Sequence, residues 1–311
     1  MRRRNAMGAA LIAVAALGLG ACGGGTDDGS ASGATRTLDT VMGEVEIPQN
    51  PEKVVVLDTD KIDTALTLGV TPVGAARAGE TELPGYLDGL EGVETVGTLT
   101  DPDLEKIEQL RPDLILGTQF RQEQFYDELT AIAPTVFTEN VGVTWKENFL
   151  LDGDALGKKE EAEQKLAAYE RRAEEFGQSL GDPSETTVSI VRFMPDHIRY
   201  YGPEGFSGIV VADTGLARTE LQEMEGAEDR RFGRLSAEEI DRADADYLFY
   251  TAYGEDAEKA QGETTQSALW TSMTAVGEGR SFNIDDEVWM TGIGVTAANM
   301  ILDDLEKHVQ A

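Results

Sequence analysis

The strongest constraint on the fold is one uninterrupted helical pattern near the middle of the chain, between Lys158 and Leu180. Its apolar residues are spaced 4, 3, 4, 3 and 4 positions apart: Ala162, Leu166, Tyr169, Ala173, Phe176 and Leu180. This spacing puts them on one helix face, and about 23 helical residues extend about 35 Å, roughly the width of a small domain. A coiled coil between chains is the alternative, although about three heptads are short for one. We favour a rigid helix that packs along two lobes of the same chain.

Short apolar segments lie on both sides of this helix and alternate with polar, helix-forming stretches. Before the helix they are 53–57, 72–75, 93–96, 114–116 and 135–137; after it they are 188–193, 198–201, 247–250 and 281–283, followed by a helical pattern over 295–309. Alternation of this kind is typical of an α/β fold with a mostly parallel sheet. The sequence therefore predicts two Rossmann-like α/β lobes, residues 36–150 and 182–311, joined by a single long α-helix within residues 151–181.

The two lobes share a short pattern where a helix leads into a strand. It consists of Glu105, Ile107 and Asp113 in the first lobe and of Glu238, Ile240 and Asp246 in the second. The separations within the two triplets are identical. Because the pattern falls at the same kind of joint in each lobe, it predicts two structurally equivalent lobes.

The amino terminus has the features of an export signal. Three arginines at positions 2–4 precede residues 6–21, which carry no charge and are too few for a comfortable membrane span. The small residues before Cys22, the only cysteine, resemble the bacterial lipobox, in which the cysteine receives a diacylglyceryl group. The Gly- and Ser-rich residues that follow suit a flexible tether. We expect a signal peptide over 1–21, a lipid-anchored tether over 22–35, palmitate among the attached lipids, and a location on the extracytoplasmic face of the cell membrane.

Composition excludes several functions. Acidic residues outnumber basic ones 58 to 26, for a formal net charge of -32, so a nucleic acid would have to bind against a repulsive field. One cysteine cannot form an internal disulfide or a Cys-rich zinc site, and two histidines cannot form a three-His centre. We therefore expect no nucleic acid partner and no metal centre built from cysteines or histidines.

Two glycine motifs and one histidine indicate other functions only weakly. Residues 292–297 (GIGVTA) fit a loose dinucleotide-binding pattern, but too few residues follow for the second strand and the acidic residue of that fingerprint. We interpret them as a tight turn or close packing before the last helix. Residues 153–159 (GDALGKK) depart from a P-loop in spacing and in the residue after the lysine. His197 is expected in a hairpin turn, with haem ligation as the alternative.

Five segments together make the chain similar to a known family. They are NPEKVVVLD (50–58), LEKIEQLRPDLIL (104–116), DALGKKEEAEQKLAAYE (154–170), RLSAEEIDRADADYLF (234–249) and VWMTGIGVTAANMILDDL (288–305). With the lipobox and the two helix-linked lobes, they resemble the iron-siderophore substrate-binding lipoproteins of ABC importers, a group that also includes cobalamin and haem binders. The resemblance implies a rigid clamp with a shallow cleft between its lobes, and binding rather than catalysis.

The resemblance also implies the partners. The ligand would be a ferric siderophore. Because the siderophore holds the iron itself, no cofactor and no protein-bound metal are expected. The protein would act as a monomer that delivers the siderophore to an ABC permease dimer. We expect a hydroxamate siderophore, because a triply anionic catecholate complex would need a more basic cleft than this acidic chain offers. The alternatives are cobalamin or haem binding within the same family, a surface-anchored hydrolase with paired carboxylates, and an adhesive lipoprotein.

Site residues follow from the resemblance and from strand ends. By position, Glu105 and Glu238 match the family's glutamates at the lobe tips, which dock onto permease arginines. Their alternative role is in first helical turns, where the macrodipole favours acids, and Ser236 with Glu239 fits a capping box. Loops at carboxyl strand ends should supply guanidinium and aromatic groups to the ligand. The predicted ligand-binding residues are Arg77, Arg121, Arg192, Arg199, Phe206, Tyr253 and Trp289.

Overall fold

The computed structural model describes residues 34–79 and 82–310. The strands are β1 (Thr35–Thr40), β2 (Gly43–Pro48), β3 (Val54–Val56), β4 (Gly74–Arg77), β5 (Glu94–Thr98), β6 (Asp101–Pro102), β7 (Leu114–Thr118), β8 (Thr135–Thr138), β9 (Thr187–Phe193), β10 (Ile198–Tyr201), β11 (Ala217–Arg218), β12 (Phe232–Leu235), β13 (Tyr247–Ala252) and β14 (Ser281–Asn283). The α-helices are α1 (Thr59–Thr67), α2 (Leu104–Leu110), α3 (Gln119–Gln122), α4 (Tyr126–Ile132), α5 (Trp145–Ala155), α6 (Lys159–Ser179), α7 (Phe206–Asp213), α8 (Glu220–Glu223), α9 (Glu255–Thr264), α10 (Ala268–Thr271), α11 (Thr274–Gly277) and α12 (Val295–His308).

The predicted signal peptide and Cys22 lie outside the described residues. Strand β1 begins at Thr35, one residue before the predicted start of the folded part. Of the helices in the described ranges, none combines the length and the apolar character that crossing a bilayer requires.

The first six-stranded sheet has the order β6-β5-β4-β3-β7-β8, and every neighbouring pair is parallel except β5 with β6. Strands β3, β7 and β8 are buried throughout, which is typical of a parallel sheet covered on both faces. Each apolar segment predicted before the long helix overlaps one strand of this first sheet. The separate hairpin of β1 and β2 is not among the predicted strands, because its alternating pattern carries few apolar residues.

The second six-stranded sheet has the order β12-β10-β9-β13-β14, with β11 pairing with β9 outside this path. Strand β10 is antiparallel to β9 and to β12, whereas β13 is parallel to β9 and to β14. The turn between β9 and β10 closes with a hydrogen bond of 2.8 Å from the backbone N–H of Met194 to the carbonyl of His197. The predicted position of His197 in a hairpin turn is confirmed.

The repeated triplet marks equivalent positions of the two sheets. Asp113, directly before β7, accepts a hydrogen bond of 2.9 Å from the backbone N–H of Lys53, directly before β3. Asp246, directly before β13, accepts one of 2.8 Å from the backbone N–H of Thr187, the first residue of β9. Since β7 pairs with β3 and β13 pairs with β9, the two aspartates fix the start of the same strand pair in each half. The predicted structural equivalence therefore holds at this joint.

Helix α6 confirms the predicted long helix. Its buried side chains include five of the predicted apolar positions, namely Ala162, Leu166, Tyr169, Ala173 and Phe176. The same hydrophobic cluster contains Val54 of β3 and Val188 of β9, so the apolar face of α6, which packs on α5, α7 and α12, belongs to a core that includes residues of both sheets. The described residues accordingly belong to one compact unit.

A charged contact links the two halves beside α6. The ammonium group of Lys146 in α5 lies 2.8 Å from a carboxylate oxygen of Asp213, the last residue of α7. The hydroxyl of Tyr169 in α6 donates to the other oxygen of the same carboxylate at 2.7 Å. Asp213 therefore joins α5, α6 and α7 at a single point.

Helix α12 packs closely on α1 of the first half. Asp63 in α1 accepts hydrogen bonds from the backbone N–H groups of Thr296 (3.1 Å) and Ala297 (3.0 Å) in the first turn of α12. A Cβ atom on Gly294 would overlap the Asp63 carboxylate, so glycine is required for this approach. The amino terminus of α12 is thus occupied by a carboxylate of the same chain. This confirms the interpretation of residues 292–297 as close packing.

Replacing Gly177 with alanine should destabilise the protein. A Cβ atom there would overlap the carbonyl oxygen of Thr214, and this clash should outweigh the roughly 1 kcal/mol that alanine gains over glycine within a helix. Gly262 in α9 is the matched control, because nothing lies within 4 Å of its Cβ position. Gly262→Ala should raise the free energy of unfolding by up to about 1 kcal/mol. Urea unfolding measures both, and a Gly177→Ala variant as stable as Gly262→Ala would contradict the close contact of α6 with Thr214.

Candidate ligand-binding site

Each sheet has a topological switch point. In the first sheet it lies between β3 and β7, because the chain continues from β3 to β4 on one side and later places β7 on the other. In the second sheet it lies between β9 and β13, since β10 follows β9 on the opposite side. Open α/β sheets bind ligands in the crevice beyond the carboxyl ends of the strands at such points. A ligand is therefore expected near the ends of these two strand pairs.

Loops that follow carboxyl strand ends of the two sheets contact each other. Gly85, in the loop after β4, donates its backbone N–H to the carboxylate of Glu287, after β14, at 2.8 Å. Gly142, in the loop after β8, packs near Ile293, whose Cδ1 atom would lie 3.8 Å from a Cβ on this glycine. These contacts place the carboxyl-end loops of both sheets against one another.

Arg121 and Asp58 form a salt bridge at the switch point of the first sheet. Asp58 lies two residues beyond the end of β3, and Arg121 lies in α3, which directly follows β7. The Nη1 group of Arg121 donates to Oδ1 of Asp58 at 3.0 Å, and the arginine side chain remains 21% exposed. Arg77, also half-buried, is the last residue of β4 at the same edge. Both arginines therefore lie where the strand ends predicted them.

A buried polar cluster lies behind Arg121. Lys61 has no exposed surface, and its ammonium group donates to Thr138 at 2.8 Å and to Asp152 at 2.7 Å. Burial raises the pKa of Asp152 to about 7, against the opposing effect of Lys61. Burial also raises the pKa of Asp58, an effect that Arg121 opposes. The carboxylate that holds Arg121 thus lies next to a buried group of charged and polar side chains.

Arg192 occupies the switch point of the second sheet, near the end of β9. Its guanidinium group is paired with both carboxylate oxygens of Asp286, with a distance of 2.7 Å from Nε to Oδ1. It also lies 4.5 Å from the ring centroid of Tyr253, which directly follows β13 and is 42% exposed. The second sheet therefore repeats the pairing of the first, in which one carboxylate holds an arginine at the switch point, but the Arg192 side chain is 7% exposed and so presents less surface to a ligand than Arg121 does.

Three arginines lie side by side on β9, β10 and β12. Arg199 pairs in register with Arg192 on one side and with Arg234 on the other, and directly opposed residues project from the same face of a sheet. The guanidinium group of Arg199 lies 4.4 Å from the ring centroid of Phe232, and its Nε atom lies 3.4 Å from Nε2 of His197. Within the part of the chain that the structure describes, neither Arg199 nor Arg234 forms a salt bridge. These two residues contribute positive charge to this edge with no carboxylate of the described residues within salt-bridge distance.

Two predicted ligand contacts are corrected by the structure. Trp289 has no exposed surface, because its indole ring stacks on Phe249 at 4.9 Å and donates to Asp304 at 2.8 Å. Phe206 is 6% exposed, and its ring meets the edge of Trp145 at 5.4 Å. Both side chains are occupied by core packing, so neither is available to a ligand at the surface.

Phe120 is an exposed aromatic residue that the sequence analysis does not predict. It lies beside Arg121 in α3, at the carboxyl edge of the first sheet, and is 57% exposed. A search for aromatic residues within two positions of the end of a buried strand would have found it, as loop position found Tyr253. Arg234, Asp58 and Asp286 were also missed, because pairing across strands and between loops leaves no local pattern.

The two predicted docking glutamates are both exposed. Glu105 lies in the first turn of α2, and Glu238 lies in a short helical turn over Ala237–Ala243. Ser236 and Glu239 form the predicted capping box at the start of that turn. The exposure of both glutamates is compatible with contacts to a partner, and neither is needed for the capping hydrogen bonds.

Polar groups line a cavity of about 380 Å³ beside the Arg192–Asp286 pair. Its lining residues are Thr251, Ala252, Glu258, Gln261, Asn283, Ile284 and Asp286. No group of three or more His, Cys, Asp and Glu side chains among residues 34–79 and 82–310 could hold a metal ion. The polar side chains that line this cavity can therefore interact with a ligand through charges and hydrogen bonds.

Two α/β halves joined by one long helix, with basic side chains at both switch points, define a bilobal solute-binding protein. The chain belongs to the periplasmic binding protein family, whose model matches residues 54–288. This membership confirms the predicted fold class, and it groups the chain with proteins that bind rather than transform their ligands.

Individual relatives agree with this assignment. The chain is 38% identical over 288 residues to the probable siderophore-binding lipoprotein YfiY of Bacillus subtilis, covering 89% of this chain and 88% of that protein. It is 30% identical to the iron(3+)-hydroxamate-binding protein FhuD of the same organism, covering 89% and 88%. The crystal structure of Staphylococcus aureus SirA complexed with staphyloferrin B matches with a TM-score of 0.79 and 31% identity, covering 88% of this chain and 98% of that one.

Proposed function

We propose that the protein is the substrate-binding component of an ABC importer and captures a ferric siderophore of the hydroxamate type. The observation that carries this proposal is the pair of arginine-bearing switch points, whose loops meet between the two sheets. Guanidinium groups suit the iron-bound oxygens of a chelate, and the exposed rings of Phe120 and Tyr253 suit its apolar parts. The relatives named for siderophores and for iron hydroxamate support the same ligand class.

The charge balance of the site favours hydroxamate over catecholate. Iron(III) bound by three hydroxamates forms a neutral complex, whereas three catecholates give a complex of charge -3. Arg121 and Arg192 are each paired with a carboxylate, which leaves Arg199 and Arg234 as the unpaired cations described above. In a chain of formal charge -32, this small surplus suits a chelate of low charge better than a trianion.

The alternative ligands are less well supported. Haem would need an axial ligand, but His197 is already engaged by Asp196 at 2.7 Å and by Arg199. The relatives reported above are named for siderophores and for iron(3+) hydroxamate, so cobalamin and haem are not favoured. The buried carboxylates behind Arg121 are held by Lys61 and other donors, which does not fit a hydrolase with solvent-accessible paired acids.

Calorimetric titration of the protein with ferric hydroxamate, ferric catecholate, ferric citrate, cobalamin and haem tests the ligand class. We expect one ferric hydroxamate per chain and weaker or no binding of the others. Arg199→Ala should weaken hydroxamate binding about 10- to 100-fold, as expected for loss of a charge-assisted contact. Arg171→Ala, on the exposed face of α6, is the matched control and should leave affinity unchanged. Saturation by haem or cobalamin with no response to hydroxamate would overturn the proposal.

The same proposal assigns Glu105 and Glu238 to docking on the permease. Paired exposed carboxylates, one in each half, would fix the orientation of the protein on a two-fold partner through charge-assisted contacts. The exposed positions of both residues support this role, and so does their location at equivalent joints of the two sheets.

Replacing both docking glutamates should separate uptake from binding. We expect Glu105→Ala with Glu238→Ala to reduce uptake of radioactive ferric siderophore by cells at least about tenfold, because charge-assisted contacts to the permease are lost. The affinity of the purified protein for its ligand should not change. Glu108→Ala with Asp241→Ala, which removes neighbouring exposed acids, is the control. Equal uptake by the two double variants would rule out a specific docking role.

We also propose that a lipid on Cys22 anchors the protein to the outer face of the cell membrane. The lipobox-like sequence and the relatives named as lipoproteins support the anchor. Cys22→Ser should move the protein from the membrane fraction to the culture medium without changing its affinity for the siderophore. Retention of the serine variant in the membrane fraction would argue against lipid attachment at this residue.

A further inference from the structure

Asp58 occupies an unusual position for a charged side chain. It lies just beyond β3, one of the central strands of the first sheet, and has no exposed surface. Strand β3 pairs across the switch point with β7, whose last residue is Thr118. A buried carboxylate at this position is costly unless donors satisfy it.

Three donors of different kinds converge on the Asp58 carboxylate. Oδ1 accepts the backbone N–H of Thr59 at 2.8 Å and Nη1 of Arg121 at 3.0 Å. Oδ2 accepts the hydroxyl of Thr118 at 3.0 Å. Because the first and last of these donors belong to rigid elements, the carboxylate cannot rotate away, and Arg121 meets a fixed partner.

Helix α3, which carries Arg121, is tied down independently. The amide of Gln122 is buried, accepts the backbone N–H of Thr118 at 2.7 Å and donates to the carbonyl of Leu57 at 3.1 Å. The backbone of Arg121 is thus fixed by its neighbour, and only its long side chain needs a further restraint. Asp58 accepts a hydrogen bond from Nη1 only, so the other guanidinium nitrogens of Arg121 remain available to donate to a ligand.

We propose that Asp58 is a positioning residue that holds the guanidinium group of Arg121 in its ligand-binding orientation. An arginine loses substantial rotamer freedom when it is ordered, and a site that orders it before binding avoids that cost at the moment of binding. Asp58 does not contact the ligand itself, because it is completely buried. This inference rests on the proposed function, which places Arg121 in the siderophore site.

A double-mutant cycle with a neutral ferric tris-hydroxamate tests the inference, because a neutral probe minimises the direct effect of changing a charge. Asp58→Asn retains the size and the helix-capping ability of the side chain. We expect it to weaken affinity about tenfold in the otherwise unchanged protein and less than twofold in the Arg121→Ala background. An equal loss in both backgrounds, no loss on Asp58→Asn, or no loss on Arg121→Ala would overturn the inference.

Asp60→Asn is the matched control. Asp60 is 2% exposed and belongs to the same polar cluster, where it contacts Lys61 at 3.1 Å rather than Arg121. It should leave the affinity within twofold of the unchanged protein. A tenfold loss on Asp60→Asn would show that general disturbance of the cluster, rather than the contact with Arg121, weakens binding. If Asp58→Asn does not fold, Thr118→Val removes one of the restraints on Asp58 and should give a smaller loss that Arg121→Ala again abolishes.

A measurement without ligand separates this inference from the proposed function. Hydrogen exchange of the Arg121 side-chain N–H groups, followed by NMR, should be slow in the unchanged protein, faster in Asp58→Asn and unchanged in Asp60→Asn. If no ferric chelate binds, the proposed function fails while this result still decides the positioning role. Equal exchange in all three proteins would overturn the positioning role even if siderophore binding is confirmed.

Discussion

The apolar face of α6 is the constraint on which the rest of the structure depends. One hydrophobic cluster contains this face together with residues of both sheets, whereas two smaller clusters each belong to one half, so α6 contributes to the core that the halves share. Interiors of this kind are close-packed, and their elements keep fixed relative positions. The positions of the two switch points, and of the arginines beside them, therefore follow from how α6 and its neighbours pack.

The electrostatic design of the site follows a second rule. Cations at the two switch points are held by buried or partly buried carboxylates, as Arg121 is by Asp58 and Arg192 is by Asp286. In such a pair the carboxylate fixes the orientation of the guanidinium group. It also neutralises part of the positive charge of that group, so the pair adds little net charge to the site. The remaining positive charge of the candidate site then comes from Arg199 and Arg234, for which no salt bridge is present among the described residues. The ordered guanidinium groups and the net positive charge of the candidate site are thus supplied by different residues.

Much of the fold could be predicted from the sequence because it depends on periodic patterns. The helix α6, the central strands and the repeated triplet each leave a regular spacing of apolar or acidic residues. The hairpin of β1 and β2 was missed because its strands are mostly exposed. Arg121, Arg192 and Tyr253 lie near strand ends as the sequence indicates, and their contact with a ligand stays a prediction.

The site was harder to predict than the fold, because it depends on contacts between distant segments. Trp289 was misplaced, since a loop position says nothing of whether a neighbouring ring such as Phe249 will cover the indole. Phe120 was overlooked, although its position two residues after the buried strand β7 is a signal that the sequence carries. Arg234 becomes part of the site only through the register of β12 with β10.

The seam between α1 and α12 limits how the two halves can move. Asp63 holds the first turn of α12, and Gly294 leaves no room between the helices, so sliding one past the other would break both contacts. Rotation about this seam preserves them. A change in the width of the cleft would then be a hinge motion rather than a shear motion, with its axis near the amino terminus of α12.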